Sequence, residues 1–355
     1  MIDLTDALVR GTRGRRMCLE YVARTDEAVR SAAFWLGREQ DPNPGVLLRL
    51  FGGDASDREA DPTYTADEVA ALIDGVDLTA IRVDIVRDSL QASVDLARYW
   101  QEPDGEDVVA ALPAVRGALR RVAARLVTAI PELSAARATA QWAVDWRPLS
   151  DAAPLDSAPA VVLAEWTRAR REDEAHAARE RPADPHANVS GTWWSVPQAL
   201  LTTRGSVRDA LELVEDSLGW ENATVIPVRG VGKTLEIRSP EDWADLCREY
   251  PMEVTASRRH DWFRVTGCDA RWLIPDWQRV SERWDAVHLT TLGYLSAATQ
   301  LIEVDAEYGS VIGGWGPDST IWLTDAARET KDGREQWIRP RDDWRWVRPA
   351  LPGGQ

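Results

Sequence analysis

Asp285-Ala-Val-His288 places a carboxylate and an imidazole three residues apart, followed by Leu-Thr-Thr-Leu-Gly-Tyr294. That spacing can orient an imidazole for general-base work. A buried His at a strand end, satisfied by a backbone carbonyl, gives the same string. Asp318-Ser319-Thr320 offers three adjacent side-chain oxygens between Trp315 and Trp322, after the flexible Gly313-Gly314. Such a mix suits a small planar ligand held between aromatic walls, and a capped turn into a core strand would read alike. Gly52-Gly-Asp-Ala-Ser56 follows an apolar run and would present a serine nucleophile or close a simple turn.

Two further strings have bland readings. Gly230-Val-Gly-Lys-Thr234 resembles part of a phosphate loop, but Pro227 stands where the first glycine is needed and a strand-like Leu235-Glu-Ile237 follows. A hairpin turn is expected there. Arg258-Arg-His-Asp-Trp262 could clamp a carboxylate or phosphate. Exposed arginines paired to the acidic excess are the preferred reading, as a surface turn.

The elements that must position these residues fall into two halves. Residues 15–37, 78–100, 106–128, 132–146 and 160–182 read as helices from their apolar spacing, the last one mostly exposed. Thr65-Ala-Asp-Glu68 is a capping box opening another helix. Residues 147–160 read as a Pro/Ala-rich linker, and Arg181-Pro-Ala-Asp-Pro185 as the boundary. Beyond it, strands are expected at 191–195, 223–227, 233–237, 262–265, 286–289 and 320–323, with helices at 207–217, 240–250, 276–283 and 291–299. Ser239-Pro240 and Asp276 are helix starts. The order is too irregular for a doubly wound sheet. The expected fold is α+β: a helical domain over 1–180, then a Trp-rich mixed domain over 187–350.

Composition limits the function classes. The chain has 355 residues and a net charge of -16, which disfavours a nucleic-acid binder. Lys233 and Lys331 are the only lysines, as a GC-rich genome would give. Cys18, Cys247 and Cys268 are too few and too scattered for a disulfide framework or a zinc site, so no metal is expected and free buried thiols are. No membrane span or signal-peptide core is visible, and a cytoplasmic location is the default expectation. Of 18 tryptophans, five precede residue 187 and thirteen follow it. Those after Asp325 (Trp337, Trp344 and Trp346) are expected to pack back onto the domain.

Ala97-Arg-Tyr-Trp-Gln-Glu-Pro-Asp-Gly-Glu-Asp107, Gly191-Thr-Trp-Trp-Ser195 and Asp285-Ala-Val-His288 resemble a set of actinobacterial proteins, which bring no established activity. The segment 285–294 also resembles the Asp-x-x-His block of SGNH hydrolases, although the family's Gly-Asp-Ser and Gly-x-Asn blocks are not present in clear form. More remotely, Trp194-Ser195 with Pro197, Asp242-Trp243 with Leu246 and Tyr250, Asp276-Trp277 with Val280 and Asp285, and Trp315 with Ser319 and Trp322 are similar to divergent ADP-ribosyltransferase-like domains. No Arg precedes Trp193 as an Arg–Ser–Glu transferase would have it, and the late catalytic Glu is matched at best by Asp318 or Glu335.

The second resemblance implies NAD as substrate in a cleft of a split sheet. Trp194 and Trp322 would line it, and Ser195, Ser319 and Thr320 would bond the ligand. His288 would contact ribose or the nicotinamide amide, and Asp318 would stabilise the developing positive charge. A binding or regulatory module, with the helical half recognising a protein partner, is the alternative. An SGNH-like hydrolase using Asp285 and His288 is the third reading.

Overall fold

The computed structural model describes residues 3–43, 61–153, 155, 158–217, 219–341 and 345–349. The Gly52–Ser56 string and Trp344 lie outside these residues. The architecture is α+β.

Among the described residues the chain opens with the helices α1 (Leu4–Arg10), α2 (Thr12–Thr25), α3 (Glu27–Gln40), α4 (Ala66–Gly75), α5 (Val83–Asp95), α6 (Gly105–Ala111) and α7 (Pro113–Ala129). Local chemistry sets their ends. Asp26 interrupts the expected 15–37 helix, its carboxylate accepting the N–H groups of Ala28 and Val29 to start α3. Thr65 and Glu68 form the expected capping box of α4. Leu112-Pro113 splits the expected 106–128 helix, because proline at the first helical position restarts the chain.

The helix expected over 132–146 does not form. Pro131–Ser134 is one 3-10 turn, and Ala140–Asp145 is a strand, β1. All six of its residues pair antiparallel with β3 (Asn222–Gly230). Cross-strand pairing outweighs weak local helix propensity here. The expected 160–182 helix is α8 (Pro159–Glu180), with Leu163, Thr167 and Ala177 buried.

The main sheet also contains β2 (Thr202–Arg204), β4 (Thr234–Ile237), β7 (Ala286–Leu289), β10 (Ser319–Trp322), β11 (Ala327–Glu329) and β12 (Glu335–Ile338). Its order is β11-β3-β1-β2-β10-β7-β4, with β12 also on β3. Within this sheet β4 and β7 are the one parallel pair among the described residues. Lys233-Thr234 therefore does not close a hairpin: the chain leaves β3 and crosses to the far edge at β4. Sheet and helices straddle the expected 180–187 boundary. β1, from before it, lies between β3 and β2. One apolar core holds Leu8, Met17, Val22 and Leu119 together with Val287, Leu289, Leu295 and Ile321.

A smaller sheet, β5-β6-β9-β8, comprises β5 (Pro251–Glu253), β6 (Arg271–Pro275), β8 (Ile302–Glu303) and β9 (Tyr308–Ser310). The remaining helices are α9 (Val207–Glu212), α10 (Pro240–Glu249), α11 (Thr255–Thr266), α12 (Trp277–Val280) and α13 (Thr291–Ala297). Ser239 and Asp276 cap α10 and α12 as expected. Two expectations fail at 258–265. The strand at 262–265 is part of α11, and Arg258, His260 and Asp261 are buried in that helix rather than displayed on a surface turn. Trp262 packs edge-on to Trp272 of β6, so the apolar run serves a helix face. Residues 191–195 are irregular, for a reason given below.

Cys18 and Cys247 are buried and all three thiols are free. Among the described residues no helix is long and apolar enough to cross a membrane, and no cluster of His, Cys, Asp and Glu could hold a metal ion.

Candidate functional site

A cleft of about 600 Å³ opens against one face of β2 and β10. That is within the range of roughly 300–1,000 Å³ typical of small-molecule sites. Its walls are tryptophans: Trp100, Trp146, Trp193, Trp194, Trp220 and Trp315. Trp193 packs on Trp194 at 4.6 Å and on Trp100 at 4.9 Å, and Trp146 stacks on Trp220 at 4.4 Å.

A clamp between two loops sets the Trp193-Trp194 wall. Ser195 Oγ accepts the Gly313 N–H at 2.8 Å and donates to the Gly313 carbonyl at 3.1 Å. Trp277 Nε1 donates to the Ser195 carbonyl at 2.9 Å. These bonds replace the strand ladder expected at 191–195. Gly314 has φ +74, and a Cβ there would stand 2.4 Å from Trp194 Cδ1. The Gly313-Gly314 pair thus lets one loop press beneath the indole.

Two buried polar atoms of the cleft have no partner among the described residues: Ser319 Oγ and Trp315 Nε1. Arg204 adds a guanidinium, held by a hydrogen bond to the Pro317 carbonyl. Burial pulls Arg204 below the usual guanidinium range, against the attraction of Asp318, Asp209 and Glu215. Asp318 braces this corner from outside the cleft. Its Oδ2 accepts the Gly205 N–H at 2.7 Å, and its backbone is left-handed at φ +48. Burial raises its carboxyl above the usual range.

Glu215 also lines the cleft. Its Oε1 accepts two phenols, Tyr99 at 2.5 Å and Tyr294 at 3.0 Å. Burial pushes its carboxyl up to about 7, against the phenol bonds and the charges of Arg204 and Arg13. Both phenols are driven well above their usual range by the same burial. Sequence reasoning passed over Glu215 and Arg204. Leu213-Val-Glu-Asp-Ser217 carries no motif, and its neighbours come from three distant stretches of chain.

The opposite face of the sheet holds other residues expected in the site. Successive strand residues point to opposite faces, so Ser319 enters the cleft and Thr320 leaves it. Trp322 Nε1 donates to Thr203 Oγ1 at 2.9 Å, whose hydroxyl donates to Gln141 Oε1 at 2.6 Å. Gln141 Nε2 donates to Thr320 Oγ1 at 3.0 Å, and Thr320 meets His288 Nδ1 at 2.9 Å. The Thr320 hydroxyl thus bridges the Gln141 amide and the His288 ring, whose second nitrogen is Nε2. That nitrogen faces Asp318 Oδ1 at 3.8 Å without a hydrogen bond. Burial pushes His288 down to about 4, which keeps it neutral near pH 7. Trp322 borders a separate cavity of about 500 Å³ with Leu155, Pro159, Val162, Leu201 and Asp325.

Of the residues expected to bind ligand, the fold thus brings Trp194 and Ser319 into one cleft. Ser195 is its clamp, with its hydroxyl already bonded twice. Thr320, Trp322 and His288 stand behind the sheet. Asp285 does not reach His288. Its Oδ2 accepts the Lys233 N–H and its Oδ1 the Thr324 hydroxyl, each at 2.8 Å. No serine hydroxyl bonds His288 among the described residues, and Ser56, the candidate nucleophile, lies outside them. On the helical half the large exposed apolar residues described, Leu4, Phe34, Val83, Leu149 and Val161, are spread over four different helices and a loop.

No family model matches the chain, and neither a curated protein nor a solved structure shows significant similarity to it.

Proposed function

We propose that the tryptophan-walled cleft binds NAD, and that the protein is an ADP-ribosyltransferase-like enzyme acting on it. The observation that carries this reading is the unused hydrogen-bonding capacity at the cleft floor. Ser319 Oγ and Trp315 Nε1 are buried without partners among the described residues, and Arg204 lines the same cleft. Buried polar groups are ordinarily satisfied, so this unpartnered pair in the lining of the cleft supports a ligand seated against it. Indole faces suit the two planar rings of a dinucleotide. Arg204 suits its phosphates, and the two orphan donors suit a carboxamide.

Binding is read from quenching of intrinsic tryptophan fluorescence, and turnover from free nicotinamide separated by chromatography. Saturable quenching and nicotinamide release are expected from the wild type. Arg204→Gln should weaken binding about ten- to a hundredfold, the value of a charge-assisted bond. Absence of quenching and of any NAD-dependent thermal shift in a folded protein would overturn the proposal. The weight would then move to a non-enzymatic module with a protein partner.

A further inference from the structure

We infer that Glu215 is the acid–base residue of the cleft, taking a proton from the attacking water, with Tyr99 and Tyr294 as positioning residues that hold its carboxyl. This rests on the cleft reading above. It assigns the chemistry to a residue outside the Asp285, His288 and Asp318 set.

Two carboxylates line the cleft, Glu215 and Asp216. Asp216 is paired to Arg98 at 3.3 Å. Glu215 is differently placed, because both phenols converge on Oε1 and no described donor meets Oε2. One oxygen is anchored and the other is free for a reactant, which is what general-base geometry requires. Asp318 lacks this freedom: Oδ2 is bonded to the Gly205 N–H, and Oδ1 looks toward His288 behind the sheet.

The charged and titratable groups around Glu215 come from every side of the cleft. Tyr99 follows α5, Tyr294 lies on α13, Arg204 ends β2 and Arg13 lies on α2. Burial raises the carboxyl and these groups pull it back down, leaving it near neutrality, the range in which a group both takes and returns a proton.

Water attacks the ribose carbon that bears nicotinamide. The carbon–nitrogen bond breaks and its electron pair returns to the ring, so nicotinamide leaves neutral. The proton lost by water passes to the Glu215 carboxylate and from there to solvent. The products are ADP-ribose, nicotinamide and a proton.

The test is the pH profile of nicotinamide release from NAD between pH 5.5 and 9, with NAD affinity measured by fluorescence on the same samples. For the wild type, release should rise with pH and level off above about 7. Glu215→Gln should lower release about a hundredfold or more while binding NAD within about threefold of wild type, since a general base contributes roughly 10²–10⁴. Each phenol favours the charged carboxylate, so Tyr99→Phe and Tyr294→Phe should both move the limb to higher pH. A merely structural tyrosine would not move it. Should Glu215→Gln fail to fold, the two Phe variants carry the test.

A Glu215→Gln protein as active as wild type, a limb that stays put in both Phe variants, or NAD bound without any release would each overturn the inference. Absence of NAD binding is a separate result: it removes the cleft reading and this assignment with it.

Discussion

Tyr99 and Glu215 stand 116 residues apart in the chain and 2.5 Å apart in space. Tyr294 meets the same carboxylate oxygen at 3.0 Å. Tyr99 also stacks on Trp193 at 5.4 Å and 14°. The group best placed for proton transfer is therefore fixed by the side chain that supports the tryptophan wall. Disturbing either should disturb both.

Glu215 and His288 should tilt the pH dependence of stability in opposite directions. Glu215 titrates at about 7 in the folded chain, above its unfolded value near 4.5, so the folded state holds a proton that the unfolded chain gives up. The cost of keeping it grows as pH rises from 4.5 to 7. Removing the group in Glu215→Gln should therefore raise stability relative to wild type with increasing pH, on the order of 2 kcal/mol across that window. His288 titrates at about 4 in the folded chain, below its unfolded value near 6.5, and loses stability as pH falls through that range. His288→Asn should therefore gain relative to wild type with decreasing pH. Thermal melts of the three proteins between pH 4.5 and 7 check the two signs.

Thr320→Val should destabilise the fold without weakening NAD binding. The substitution removes the hydroxyl that joins Gln141 to His288, leaving the Gln141 amide and His288 Nδ1 buried without partners. Each such loss costs about 1–3 kcal/mol. The affected face lies behind the cleft, so denaturant melts should shift while the fluorescence titration with NAD stays near wild type.

Gly314→Ala should impair the cleft. The backbone there has φ +74, which costs a non-glycine residue roughly 1–2 kcal/mol, and the new Cβ would stand 2.4 Å from Trp194 Cδ1. Trp194 must move. The expected result is a lower melting temperature together with a weaker fluorescence response to NAD.

Asp318→Ala should lose the bond to Gly205 N–H while keeping a left-handed backbone that alanine tolerates poorly. The cost is about 1–3 kcal/mol, most of it from the lost bond. Asp318→Gly relieves the backbone and should lose less, a difference that paired denaturant melts resolve. Because Asp318 braces the turn after Arg204, both variants should also bind NAD more weakly.

The sequence by itself determined what depends on near neighbours. Thr65, Ser239 and Asp276 announce their helices because a side-chain oxygen reaches N–H groups two or three residues on. The apolar runs at 223–227, 286–289 and 320–322 are strands because those side chains suit a buried sheet. Trp194 and Ser319, singled out from their strings, line one cleft. Tertiary structure decided the rest. Residues 140–145 are a strand because β2 and β3 flank them, which no local window contains. His288 and Trp322 lie behind the cleft because pairing with Thr320 and the two-residue alternation of a strand put them there. Glu215 carried no motif; its carboxyl is pushed up to about 7 only because folding buries it, against the opposing pull of Tyr99, Tyr294 and Arg204. Burial and charge act through space, so the residue they perturb most can be one whose own sequence says nothing.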